Sequence, residues 1–379
     1  MVASGAAGAS KGSPPPIPHV LHVADTDAFA RFGRMFRQLG LGLSDEGVRV
    51  SLLTDDAEAA AELDGTPVED YLFQSLAGWG VWRLPGFLRR QFDPPPDAVH
   101  LWGTTCLRHL SDWTLGCGAA LLIHVTSLRD VERLARRGVR SNEYLIAGCV
   151  EYGELLRDRW PTLASSFRVL EPALLPPEKV AGLSVRGKTL GLLWTGRIDE
   201  HCRLDVLIEA AAQLRAKGFD LQVALIGAGP ATRRIWQEIR RQRVQDCFSL
   251  IAKPKLWDQA MAGADVCVVT TNQQELALAP LLAMALGKVV VASRDQTADW
   301  FIEEETTLQF TPGSAVELAY HVTRTAAGHP NVLAVARAAA KYVQQHHTIT
   351  HLAAELAELY RATRRTTGSV ALAKPGGAV

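Results

Sequence analysis

The chain has 379 residues, and its 40 Lys and Arg balance 40 Asp and Glu, so the formal net charge is zero. That balance excludes a global field that would draw nucleic acid. The length exceeds one typical core and suits two α/β domains, while 47% hydrophobic and 21% charged residues are ordinary for a globular protein.

The 6 cysteines (Cys106, Cys117, Cys149, Cys202, Cys247 and Cys267) show no CxxC or other metal-ligand spacing. They read as small core residues in a reducing, cytoplasmic setting. No apolar run reaches the roughly 18 residues needed to cross a bilayer. Residues 1–16, rich in Ala, Gly, Ser and Pro, lack the apolar stretch of a signal peptide and predict a disordered leader. A small, polar tail over 366–379 predicts a frayed end.

His19–Ala24 reads as the first strand. A helix over Ala28–Leu43 follows, with Phe29, Phe32, Phe36, Leu39 and Leu43 on one face, then a strand over Val48–Thr54. Between the first strand and the helix, Asp25-Thr26-Asp27 matches an Asp-x-Asp metal–diphosphate pattern. Carboxylates at that place more often cap the helix, so no metal is expected.

From Tyr71 to Phe92 the chain is aromatic and basic. Gly78, Gly80 and Pro85 break any sustained helix there, which favours a partly buried insertion over an interfacial membrane segment. Ala98–Trp102 and Ala119–Val125 read as further strands. Arg133, Arg136, Arg137 and Arg140 read as a solvated helix face. After Phe167–Leu170, a proline-rich stretch over Pro172–Gly182 reads as a linker.

Beyond the linker an apolar run, Leu190–Trp194, stops at Thr195-Gly196-Arg197. Leu204, Leu207, Ile208, Ala211 and Leu214 then fall at helical spacing. A strand over Leu221–Ile226 leads to Gly227-Ala228-Gly229-Pro230, with Pro230 expected in the first turn of the next helix. Ala264–Val269 reads as a strand, Leu276–Leu286 as a helix ended by Gly287, and Val289–Ala292 as another strand. Strand alternating with helix implies parallel, doubly wound sheets with the ligand outside the C-terminal strand ends.

The segments GRIDEHCRLDVLIEAA, VALIGAGP, ADVCVVTT and LLAMALGKVVVAS resemble the donor half of family-4 glycosyltransferases. HVLHVADTDAFARFGRMFRQLGLGLSDEGVRVSLLT is similar to that family's opening strand–helix–strand, and ITHLAAELAELYRATRR to its closing helix. The resemblance implies the α/β GT-B fold, two Rossmann-like doubly wound domains facing a cleft. An acceptor domain is expected over 17–175, a donor domain over 176–345, and a helix over 346–365 packing back on the first domain.

It further implies metal-independent sugar transfer from a nucleotide-sugar to a glycan, lipid or small-molecule acceptor, with no separate cofactor. Cations or amides must meet the charge that develops on the departing diphosphate. Arg197 stands at one cation position of the family pattern; the other holds Cys202, with Arg203 beside it. Of the family's two glutamate positions, the first is Gln274, next to Glu275, and the second, which serves the ribose, is Leu282. Gly196, Gly227, Gly229 and Thr271 complete the donor side, and Asp25, Asp27, His124 and Thr126 the acceptor side.

His124 lies two residues before the family's histidine position, now Thr126, and is expected to be a buried structural residue. Asp295-Gln296-Thr297 replaces a small-Gly loop near the phosphates. These departures keep a second reading open, a degenerate relative that retains the fold for binding or assembly.

Overall fold

The computed structural model describes residues 17–61, 63–177, 180, 189–252, 257–270, 275–296 and 298–370. Residues 178, 179, 181 and 182 of the linker, together with Thr271, Gln274 and Thr297, therefore lie outside the described residues. Seven strands come from the first half: β1 (His19–Val23), β2 (Arg49–Thr54), β3 (Glu69–Leu72), β4 (Ala98–Trp102), β5 (Ala120–Val125), β6 (Glu143–Ala147) and β7 (Arg168–Val169). Six come from the second: β8 (Leu190–Thr195), β9 (Leu221–Ile226), β10 (Phe248–Ile251), β11 (Val266–Val269), β12 (Val289–Ser293) and β13 (Leu308–Phe310).

They form two separate sheets, ordered β3-β2-β1-β4-β5-β6-β7 and β10-β9-β8-β11-β12-β13, and every strand pair is parallel. Helices on both faces bury the central strands, so β4, β5 and β12 are buried at every position. The two-sheet, doubly wound expectation is met.

Each sheet reverses its strand order once. The reversal lies between β1 and β4 in the first sheet and between β8 and β11 in the second. Splayed connections there leave a crevice at the C-terminal strand ends.

The first helix spans Thr26–Asp45, longer than its apolar stripe alone suggests. Asp25 caps it, its carboxylate accepting from the Ala28 amide at 2.8 Å. The stripe predicted on it is buried against the sheet. The closing helix, Ile349–Val370, packs along this first helix rather than on the second domain.

Under that closing helix lies a wholly buried polar chain whose protons can be assigned by counting donors. Trp102 Nε1–H only donates, and it reaches His22 Nδ1 at 3.1 Å. Neutral His22 therefore carries its proton on Nε2, which donates to the Tyr360 hydroxyl oxygen at 3.2 Å. The hydroxyl donates to His100 Nδ1 at 2.6 Å, and His100 Nε2–H to His124 Nδ1 at 3.2 Å. His124 Nε2–H ends the chain on the Leu170 carbonyl at 3.0 Å.

Each proton is used once and every ring stays neutral. Burial alone pushes His22 down to about 3, and burial is the largest cause holding His124 at about 3. His124 is thus a link in this chain, away from solvent.

Candidate functional site: the cleft between the two sheets

The C-terminal strand ends of the two sheets face each other. The Leu276 amide, beyond β11, donates to the Thr126 carbonyl, beyond β5, at 2.9 Å, and Ser127 forms a β-bridge with Glu275. Arg31 of the first helix reaches across, its Nη1 donating to Thr126 Oγ1 and to the Leu276 carbonyl, both at 3.2 Å. Arg129 approaches Glu275 at 3.8 Å, and Arg197 donates to Asp27 at 3.3 Å. Four residues named from sequence, Asp27, Thr126, Arg197 and Glu275, therefore meet across one cleft.

Sequence reasoning missed Arg31. It is one of three arginines, with Arg34 and Arg37, on an amphipathic helix, and nothing in the sequence sets it apart until the opposing domain is in place.

A cavity of about 50 Å³ opens at the second sheet's reversal point. Trp194 and Thr195 at the end of β8, Val268 and Val269 of β11, Glu275 and Gln296 line it. With the domains this close it has room for only a few waters. Thr195, Glu275 and Gln296 give the otherwise apolar wall its polar side chains.

Several expected contacts are placed elsewhere. Gly227 and Gly229 have a packing role in the fold. A Cβ on Gly227 would lie 1.9 Å from the Gly196 carbonyl oxygen, and one on Gly229 would lie 2.1 Å from that of Ile198. Their lack of a side chain lets the loops after β8 and β9 pack backbone to backbone, with the Ile198 amide donating to the Ala228 carbonyl at 3.1 Å.

Pro230 precedes the next helix, Thr232–Arg241, whose N-cap is Ala231, so it is not in the first turn. Cys202 is buried, its thiol donating to the Asp199 carbonyl at 3.0 Å. Arg203 pairs with Asp205 at 3.3 Å and lies against Gly313, away from the cavity. Leu282 sits on the helix Leu278–Ala285 at 1% exposure, inside the core and not on the cavity wall. Thr271 and Gln274 lie outside the described residues.

Of the predicted solvated arginine face, Arg133, Arg136 and Arg140 are exposed as expected, while Arg137 is not. Arg137 donates to the buried Glu143 carboxylate at 2.6 and 2.9 Å, and Arg140 pairs with Asp112 at 2.5 Å. Arg137 fastens the helix Leu128–Arg137 to β6, and Arg140, in the loop that follows, reaches the helix Leu107–Cys117.

A second contact joins the domains behind the cleft. Asp299 accepts from the Val150 amide at 2.6 Å, and its charge lies beside Glu171. Burial first, then Asp299, pushes the Glu171 carboxyl up to about 7 from 4.5. The folded protein therefore keeps a proton that the unfolded chain has already released. Stability from this group is present at low pH and should decline as pH rises from 4.5 toward 7. Glu171→Gln should flatten that part of the curve of melting temperature against pH; an unchanged slope would free Glu171 of this role.

Residues 189–327 match the family described as Glycosyl transferases group 1. No curated protein sequence matches the chain. Among solved structures it is similar to Anabaena HepE in complex with UDP and glucose, at a TM-score of 0.75 and 16% identity, covering 91% of this chain and 100% of that one. Sucrose-phosphate synthase from Thermosynechococcus elongatus aligns at 0.69 and 18% identity, covering 92% of this chain and 100% of that one. A glycosyltransferase from Rickettsia africae aligns at 0.68 and 15% identity, covering 91% and 98%. Identities this low speak for the fold, and the family match speaks for the second domain. The chain therefore has the two-domain GT-B fold of these structures, and its residues 189–327 match the group 1 glycosyltransferase family.

Proposed function

We propose that the protein transfers a sugar from a nucleotide-sugar donor to an acceptor held on the first domain, without a metal ion. One observation carries this reading. The cavity lies at the strand-order reversal of the second sheet, where doubly wound domains take their ligands, and it faces the corresponding crevice of the first. The donor enters when the domains separate, which also frees Arg197 from Asp27 to meet the diphosphate. Asp25 and Thr126 stand on the acceptor side. HepE was solved with UDP-glucose, so uridine diphosphate sugars head the donors to test.

A panel of nucleotide-sugars titrated calorimetrically into the purified protein should reveal one that binds, and EDTA should leave binding and turnover unchanged. A charge-assisted contact contributes about 1.5–3 kcal/mol. Arg197→Ala should therefore weaken the donor at least about tenfold; undiminished affinity in a folded variant removes Arg197 from the site. Metal-dependent binding would return Asp25 and Asp27 to consideration.

The second reading, a degenerate relative kept for binding or assembly, is favoured by burial of Cys202 and Leu282 at two positions where the family pattern carries polar contacts. Donor binding with neither transfer nor donor hydrolysis would select it.

A further inference from the structure

The stretch after β3 was expected to be a partly buried insertion, and half of it is. Leu76, Leu84, Leu88 and Phe92 are buried, and the Phe73 and Phe87 rings pack at 5.2 Å. On that firm base Trp79 stands 98% exposed and Trp82 66% exposed, with Leu72 also at the surface. Residues 71–92 contain no Asp or Glu, and their three arginines, Arg83, Arg89 and Arg90, are all exposed. Among the described residues none of the three is ion-paired, and Arg83 lies over the Trp82 ring at 5.0 Å.

We propose that this face docks on an anionic phospholipid bilayer, with Trp79 and Trp82 at headgroup depth and the arginines on the lipid phosphates. An indole has an apolar body and one N–H donor, a combination that favours the boundary between hydrocarbon and water. Unpaired guanidiniums beside it complement a negative lipid surface. A second copy of the chain is a poorer fit, because a two-fold contact through this face would bring like arginines together.

The face is also tied to the cleft. Asp55 accepts from the Leu76 amide at 3.3 Å and, through its other oxygen, from the Thr26 amide and hydroxyl at 2.8 and 2.9 Å. Docking therefore sets the cleft mouth beside the bilayer. The proposal goes beyond the transferase reading and stands without it, since it is tested without turnover.

The test is co-sedimentation of the full chain with phosphatidylcholine vesicles, with and without phosphatidylglycerol, at low and high salt. Binding should require the anionic lipid and weaken with salt. Trp79→Ala/Trp82→Ala and, separately, Arg89→Glu/Arg90→Glu should each reduce it at least about tenfold with an unchanged circular dichroism spectrum. Brominated lipids should quench the wild-type fluorescence more than that of the Trp79→Phe/Trp82→Phe variant. Failure of the wild-type chain to bind, or equal binding by the variants, overturns the proposal. So does self-association that the tryptophan substitutions abolish, which would give the face to a second copy.

Discussion

Leu282→Glu is expected to destabilise the protein severely, by on the order of 3–5 kcal/mol in chemical denaturation, instead of restoring a ribose contact. The helix Leu278–Ala285 is buried at every position, and Leu282 lies within the core shared by the two domains. A carboxylate there would sit at 1% exposure inside an apolar core, so it must either stay protonated or expose the core. A variant as stable as its parent, with stronger nucleotide binding, would show that Leu282 faces the donor after all.

Tyr360→Phe should cost about 2–6 kcal/mol, because a single oxygen serves two buried partners and each stranded group costs about 1–3 kcal/mol. Without it, His22 Nε2–H loses its acceptor and His100 Nδ1 its donor, in surroundings with essentially no solvent. The shape of the ring is kept, so the loss is almost purely polar. Equilibrium unfolding measures it, and nitrogen chemical shifts of the three histidines should report altered tautomers. A loss under about 1 kcal/mol would mean that a water takes the hydroxyl's place.

Much of the fold was legible because buried parallel strands are near-continuous apolar runs and their helices repeat with a clear period. Ala98–Trp102 and Leu221–Ile226 emerge with the ends expected of them. β3 did not, since Glu69–Leu72 is a short, largely exposed edge strand with two carboxylates and no apolar run to announce it. The site was less legible than the fold for a related reason. Arg31 and Leu276 become neighbours only when two domains close on each other, and no local spacing encodes that approach. Gly227 and Gly229 show the same limit from the other side. A glycine signals close approach of something to the backbone, but the chain alone does not say whether that is a phosphate or another loop.

Because Tyr360 completes the polar chain joining His22, His100 and His124, the first domain is discontinuous along the chain. During synthesis its sheet leaves the ribosome early, while the hydroxyl that satisfies its interior emerges only after the entire second domain. At about 5–20 residues per second that interval is on the order of ten seconds or more. The nascent first half must pass it with two strand-borne imidazoles, His22 and His100, lacking their shared partner, and with the face of the first helix that the closing helix covers still open to chaperones.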